Sequence, residues 1–236
     1  MARRRLLSFL FLLLCVAAFA GFVALGLWQV QRLAWKEDLI ARVDARVHAA
    51  PVTAPAPGDW ASVSKDVHEY RRVQLTGEYR VDGLSLVAAA TEEGQGYWVM
   101  VPLQRADGSR VYINRGFVPQ RLREQAARGD FTPRGQVSVT GLLRLNQPGG
   151  GVLRDNVPTE NRWYSRDVQA MAERHGLAPV APFFVDADAS EQPGPIGGLT
   201  VIRFPNNHRV YAFTWFALAL GVILAAWLVV REQRKR

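Results

Sequence analysis

Two long runs without a charged side chain lie near the ends of the chain, at residues 6–27 and 210–230. A helix needs about 20 apolar residues to cross the hydrocarbon core of a membrane, at a rise of about 1.5 Å per residue. Both runs reach that length. The pattern therefore predicts two transmembrane helices with a domain between them.

The first apolar run could be a signal peptide that is cleaved or a membrane anchor that is kept. Ala18 and Ala20 form a small-x-small pair of the kind found at signal-peptide cleavage sites. The run continues to Leu27, however, which is longer than a usual signal core and favours an uncleaved anchor. The sequence favours the anchor and leaves the cleaved form as the alternative.

The first helix is expected to leave the membrane and continue as a juxtamembrane helix at residues 28–50. Trp28, Arg32 and Trp35 recur at i, i+4 and i+7, so they share one face of that helix. Such a face is typical of an interfacial anchor, although Arg32 could instead pair with an anionic group of a ligand or headgroup. Pro51 should end the helix.

Short runs rich in β-branched and aromatic residues fill the central region. They predict strands at 72–79, 84–90, 97–104, 110–114, 136–144, 182–185 and 199–204. Pairs such as Asp107-Gly108 and Arg115-Gly116 are typical of turns, and short turns imply antiparallel pairing. A short helix is predicted at 167–174, closed by Gly176. The predicted fold class is a membrane protein with two transmembrane helices flanking an α+β, mainly antiparallel-β extracytoplasmic domain.

The net charge of +8 is concentrated in the two tails, and the central region is nearly neutral. Charge in this arrangement is typical of membrane topology and does not indicate a nucleic-acid surface. The positive-inside bias places both termini in the cytoplasm and the central domain in the periplasm. No mitochondrial transit peptide is expected in the five residues before the first run, which favours a multi-pass protein of the bacterial inner membrane.

These expectations divide the chain into six predicted segments. They are a cytoplasmic tail at 1–5, a transmembrane helix at 6–27, the juxtamembrane helix at 28–50, a periplasmic mainly β domain at 51–209, a second transmembrane helix at 210–230 and a cytoplasmic tail at 231–236.

The residue types present limit which disulfides, metal sites and catalytic sites the chain could form. Cys15 is the single cysteine, so the chain cannot form an internal disulfide or a cysteine-based zinc ribbon. Ser62 and Lys65 match the Ser-x-x-Lys spacing of some acyl-transfer enzymes, but the companion motifs are missing and we interpret the match as coincidence. The histidines at 48, 68 and 175 lack a metal-binding spacing and are interpreted as solvated or hydrogen-bonded. We do not expect an enzyme.

A polar segment that contains a histidine leads directly into the second apolar run. His208, Tyr211 and Trp215 lie at i, i+3 and i+7, on one face of the helix at the membrane boundary. One interpretation is an interfacial aromatic belt with a hydrogen-bonded boundary histidine. The other is a binding face that offers a nitrogen ligand and flat rings.

Seven short pieces of sequence occur in order along the chain. They are LGLWQVQR from residue 25 with WK at 35, LTG at 75, GYWV at 96 with PL at 102, VYINRGFVP at 111, GLLR at 141, NRWY at 161 with Asp167, and PNNH at 205 with YA at 211 and TWF at 214. Together they resemble the surfeit-locus (SURF) family of cytochrome c oxidase assembly proteins, over nearly the whole chain. Phe117 stands where the family pattern has tryptophan.

The resemblance implies an assembly factor, or chaperone, for cytochrome c oxidase, a haem-copper terminal oxidase. It would bind haem a transiently and help its insertion into the catalytic subunit. The family's histidine at the start of the second span matches His208, which would be the iron ligand, and Tyr211 and Trp215 would suit the porphyrin face. Three arginines could pair with the haem propionates, namely Arg32, Arg203 and Arg209.

The same resemblance implies a set of partners. They are the oxidase catalytic subunit, the lipid bilayer and the haem a synthesis machinery, with no nucleic acid among them. The alternative function is a cofactor-free membrane scaffold that stabilises the catalytic subunit during respiratory-chain biogenesis.

Overall fold

The computed structural model describes residues 2–151, 154–190, 194–202 and 204–234, which form two compact units. The helical unit consists of the described residues of Met1–Arg42 and Arg203–Arg236, and the β unit of those of Val43–Ile202. The α-helices are α1 (Ala2–His48), α2 (Lys65–His68), α3 (Arg123–Ala127), α4 (Val168–Arg174) and α5 (His208–Arg234). The strands are β1 (Val52–Thr53), β2 (Arg72–Tyr79), β3 (Ser85–Thr91), β4 (Gly94–Gln104), β5 (Arg110–Pro119), β6 (Gln136–Leu145) and β7 (Val180–Ala187).

α1 and α5 are each long and apolar enough to cross a membrane. The candidate spans are Phe9–His48 and His208–Arg234. Large apolar side chains stand exposed along both helices, including Phe9 and Phe213. An apolar surface of this extent is compatible with a membrane protein. α1 continues without a break through the segment predicted as a juxtamembrane helix and ends before Pro51.

Within the described residues, the strands form one seven-stranded sheet in the order β1-β2-β6-β7-β5-β4-β3. β2 also pairs with β4 through Glu78 and Gln104, so the strands curl into a closed, barrel-like sheet. Most neighbouring strands are antiparallel, whereas β1–β2 and β5–β7 run parallel. After β6 the chain passes through α4 and returns as β7, which lies between β6 and β5. There β7 runs antiparallel to β6 and therefore parallel to β5.

The strand predicted at residues 199–204 is wrong. Residues 199–202 and Phe204 are not in a strand, and Arg203 lies outside the described residues. β7 already has β5 on one side and β6 on the other, so it offers no free edge to a further strand. Thr200 instead donates its hydroxyl to the carboxylate of Asp186 at 3.1 Å. A polar contact therefore anchors this segment.

The central strands bury both of their faces, because successive residues point to opposite sides of a sheet. Phe183 and Val185 of β7 pack with Ile113 of β5 in one core cluster. Phe184 of β7 and Tyr112 of β5 pack in a second cluster, which α4 covers. One alternating pattern thus supplies two cores.

Candidate functional site

The candidate site lies in the helical unit, where α5 begins beside α1. Cys15, Phe22 and Gln29 recur at seven-residue spacing along α1, as do His208 and Trp215 along α5. Phe22 stacks on Trp215 with ring centroids 5.8 Å apart, and Gln29 contacts His208. A seven-residue repeat keeps one face of each helix toward its partner. The order of the two contacts makes the helices antiparallel, and we call their shared face the helix seam.

Small residues allow the two helices to approach closely at the helix seam. Ala212 and Ala219 of α5 are buried. Gly26 of α1 faces the ring of Phe216, and a Cβ added to Gly26 would lie 2.6 Å from Cε1 of that ring. The absence of a side chain at Gly26 therefore lets Phe216 lie against α1.

Gly26→Ala should destabilise the helix pair near His208. The added methyl would displace the Phe216 ring, and overpacking of this kind costs about 1–3 kcal/mol. Gly21→Ala is the matched control, because nothing lies within 4 Å of a Cβ at that position of the same helix. Thermal unfolding of the purified chain in detergent, followed by helical circular dichroism, should show a lower midpoint for Gly26→Ala alone. Equal midpoints for the two variants would contradict this packing.

His208 is the first residue of α5, and one polar contact from α1 holds its half-buried ring. Nδ1 of His208 lies 2.7 Å from Oε1 of Gln29. Gln29 is 8% exposed, whereas its neighbours Trp28 and Val30 are 50% and 45% exposed. No hydrogen bond to Nε2 of His208 occurs among the residues that the structure describes. Nε2 is therefore the ring nitrogen available to a metal.

Asn206, two residues before His208, is the second residue here with a polar atom that lacks a hydrogen-bond partner among the described groups; the first is His208, at Nε2. The Oδ1 atom of Asn206 is buried and has no hydrogen-bond partner within the described part of the chain. Buried polar atoms are nearly always paired, and an unpaired one costs about 1–3 kcal/mol. A bound molecule that brings a hydrogen-bond donor would remove that cost.

The two predicted aromatic residues lie in different surroundings. Trp215 is in the helix seam, where Phe22 covers one face of its ring. Tyr211 is 53% exposed and presents most of its ring to the surroundings. The structure therefore brings His208 and Trp215 to the helix seam and leaves Tyr211 largely outside it.

Two of the three predicted arginines are described, and both lie in the helical unit. The guanidinium carbon of Arg32 is 4.5 Å from the ring centroid of Trp35, a cation–π contact that leaves N–H groups for an anion. Arg209 lies 3.6 Å from a carboxylate oxygen of Glu37, in an exposed pair of the kind worth about 0–1 kcal/mol. An anionic ligand could compete for either cation. Arg203 is outside the described residues.

Sequence reasoning did not single out Gln29 as a site residue. The signal was its spacing, because Gln29 lies seven residues after Phe22 and fourteen after Cys15. A polar side chain at the end of an apolar seven-residue repeat faces the partner helix rather than water.

A buried charge network lies in the β unit. Asp186 accepts hydrogen bonds from Asn114 at 2.8 Å, from Arg144 at 3.0 Å and from Arg166 at 3.1 Å. Arg144 also donates to Glu69 at 2.9 Å. Burial lowers the pKa of Arg166, whereas for Arg144 the effect of burial is outweighed by Asp186 and Glu69, so that the pKa of Arg144 is raised. The network joins β6 to β7 through the ion pair of Arg144 with Asp186, and β5 to β7 through the hydrogen bond from Asn114.

The remaining sequence candidates do not assemble into a site. Ser62 donates its hydroxyl to the backbone carbonyl of Asp59 at 2.7 Å, and Lys65 begins α2. Each of the three other histidines makes a hydrogen bond, with His48 near Asp44, His68 near Ser64 and His175 near Ser85. Within the described ranges, no group of three His, Cys, Asp or Glu side chains is placed to hold a metal ion.

Comparison with known proteins identifies the family. Residues 16–220 match the model of the SURF1 family. The chain is 35% identical to Surfeit locus protein 1 of Mus musculus over 227 residues, covering 88% of this chain and 71% of that protein. It is 33% identical to Surfeit locus protein 1 of Homo sapiens over 237 residues, covering 90% and 74%. It is also 33% identical to the SURF1-like protein of Monosiga brevicollis over 225 residues, covering 89% and 83%.

The family match includes the part of α1 that carries Gln29, the β unit and the start of α5 with His208. The order of sequence pieces, the two apolar helices and the β-rich domain between them all agree with it. The chain therefore belongs to the SURF1 family, whose members are known generally as cytochrome oxidase assembly factors.

Proposed function

We propose that the chain is a membrane-anchored assembly factor for cytochrome c oxidase that carries haem a transiently and helps its insertion into the catalytic subunit. The observation that carries this proposal is the imidazole of His208. Gln29 contacts its Nδ1 atom, and no described residue makes a hydrogen bond to its Nε2 atom. Neutral imidazole is a usual axial ligand of haem iron. The role is binding and release rather than catalysis.

The residues around His208 fit haem a as a cargo. The cargo brings a Lewis-acidic iron, a broad apolar face and anionic propionates. Nε2 of His208 would donate to the iron, and the exposed ring of Tyr211 offers an apolar surface beside it. Arg32 and Arg209 supply cations for the propionates, and the unmet Oδ1 of Asn206 can accept from a donor on the cargo. A single imidazole holds iron less firmly than a pair would, which suits transfer to another protein.

The location that we propose is the bacterial inner membrane. Support comes from the exposed apolar surfaces of α1 and α5 and from the basic tails outside them. Both termini would then be cytoplasmic and the β unit periplasmic. In that orientation His208, at the start of α5, lies at the periplasmic boundary of the membrane.

The proposal is tested by purifying the full chain from cells that make haem a and from cells that cannot. We expect the absorption spectrum of haem a in the first preparation and no haem spectrum in the second. If neither preparation contains haem and the oxidase catalytic subunit co-purifies equally with both, the chain is a cofactor-free scaffold instead.

A further inference from the structure

Gln29 is a buried amide between two apolar helices. It is 8% exposed, and its Oε1 lies 2.7 Å from Nδ1 of His208. Burying an amide costs free energy unless its polar atoms are hydrogen-bonded. A leucine would fill the same space without that cost, so the contact with His208 accounts for an amide at this position.

The contact decides which nitrogen of His208 carries the proton. The amide of Gln29 is oriented with Oε1 toward the ring, and because an amide oxygen only accepts, this orientation pairs with a proton on Nδ1. Nε2 then keeps its lone pair for a metal, and the hydrogen bond fixes the rotation of the ring. Histidines that bind metals usually have the second nitrogen held in this way, and the partner tunes the basicity of the ligand.

We propose that Gln29 is a positioning residue that holds His208 in the Nδ1–H tautomer and sets the rate at which haem a is released. This inference rests on the proposed function. A carboxylate at the same place would draw the Nδ1 proton more strongly and strengthen the bond between Nε2 and iron. An apolar side chain would leave the ring free to turn. The neutral amide gives an intermediate strength that fits a carrier.

The first experiment compares Gln29→Leu with Gln31→Leu. Gln31 is exposed on the same helix, so the second variant makes the same chemical change away from His208. Each full chain is purified, loaded with haem a and mixed with excess apomyoglobin, which captures released haem. Release from Gln29→Leu should be about 10–100-fold faster than from the wild type, as expected when a metal ligand loses its hydrogen-bond partner. Equal release from the two variants would overturn the proposal.

Gln29→Glu distinguishes positioning from packing, because it keeps the length of the side chain and makes the acceptor stronger. Resonance Raman spectra of the ferrous form should show a higher iron–histidine stretching frequency for Gln29→Glu and a lower one for Gln29→Leu. The midpoint potential should fall in the first variant and rise in the second, because a more basic imidazole favours ferric iron. Shifts in the same direction for both variants, or no shifts, would mean that Gln29 acts only through packing.

His208→Ala separates a failure of this inference from a failure of the proposed function. If the wild type itself holds no haem a, both are wrong. If the wild type holds haem a and His208→Ala keeps it, the carrier function stands, but the iron ligand lies elsewhere and the role of Gln29 is wrong. If His208→Ala loses haem a while both Gln29 variants behave like Gln31→Leu, only the role of Gln29 is wrong.

Discussion

His208→Ala should reduce the haem a content of the purified chain by about tenfold or more, equivalent to at least about 1.4 kcal/mol of binding free energy. The substitution removes the nitrogen that is free to bind iron and leaves Oε1 of Gln29 without its partner. The measurement is the haem a absorbance per chain after purification from cells that make haem a. Addition of imidazole should restore part of the binding, because a free imidazole can enter the space left by the ring.

His48→Ala is the control for this prediction. His48 ends α1, its side chain is 73% exposed, and Nδ1 contacts the backbone of its own helix at Asp44. We expect wild-type haem content from this variant. An unchanged haem content in His208→Ala would show that the imidazole does not bind the iron.

Asp186→Ala should destabilise the β unit by about 3–5 kcal/mol, the range for removing one partner of a buried ion pair. Asp186 is 3% exposed and forms ion pairs with both Arg144 and Arg166. Without it the two arginines would remain buried, and the remaining carboxylate of the network would be Glu69, which pairs with Arg144. For a domain of this size the loss corresponds to a fall of roughly 6–20 °C in the midpoint of thermal unfolding. Hydrogen exchange of peptides from β5, β6 and β7, measured on the full chain in detergent, reports the change.

Asp188→Ala provides the matched control in the same segment. Asp188 pairs with Arg72, but both side chains are more than one third exposed, and pairs of this kind contribute about 0–1 kcal/mol. Exchange rates near those of the wild type are expected. Similar losses in the two variants would contradict the assignment of Asp186 as the centre of the network.

The sequence predicted β-strands best where apolar and polar residues alternate, so that one face of the strand is buried. β2 was predicted at the residues where it occurs, because Val73, Leu75 and Gly77 alternate with polar side chains. β5 was predicted to stop at Asn114, since Arg115-Gly116 is typical of a turn. The strand continues to Pro119 through an irregular register, with Gly116 at a φ of 125°. Local composition cannot distinguish a turn from a bulge, because partner strands decide which one forms.

Long-range contacts were the part of the site that the sequence did not reveal. His208 could be recognised from its position at the start of an apolar helix and from the family resemblance. Its partner Gln29 lies 179 residues earlier, and only the pairing of α1 with α5 brings the two together. The same reason explains the segment at 199–204, whose apolar residues suggested a strand although β7, the strand that precedes it in the sequence, already has a partner on each side.

The position of β7 determines when the β unit can form during synthesis. β7 is the last strand in the part of the chain that the structure describes, yet it lies between β6 and β5 near the middle of the sheet. Until residue 187 has been made, β5 and β6 each lack the strand that pairs with both of them, and their unpaired edges can recruit strands from other molecules. A premature stop before this strand would therefore yield an aggregation-prone fragment rather than a smaller domain, and the unit should become protease-resistant only after nearly all of it has been translated.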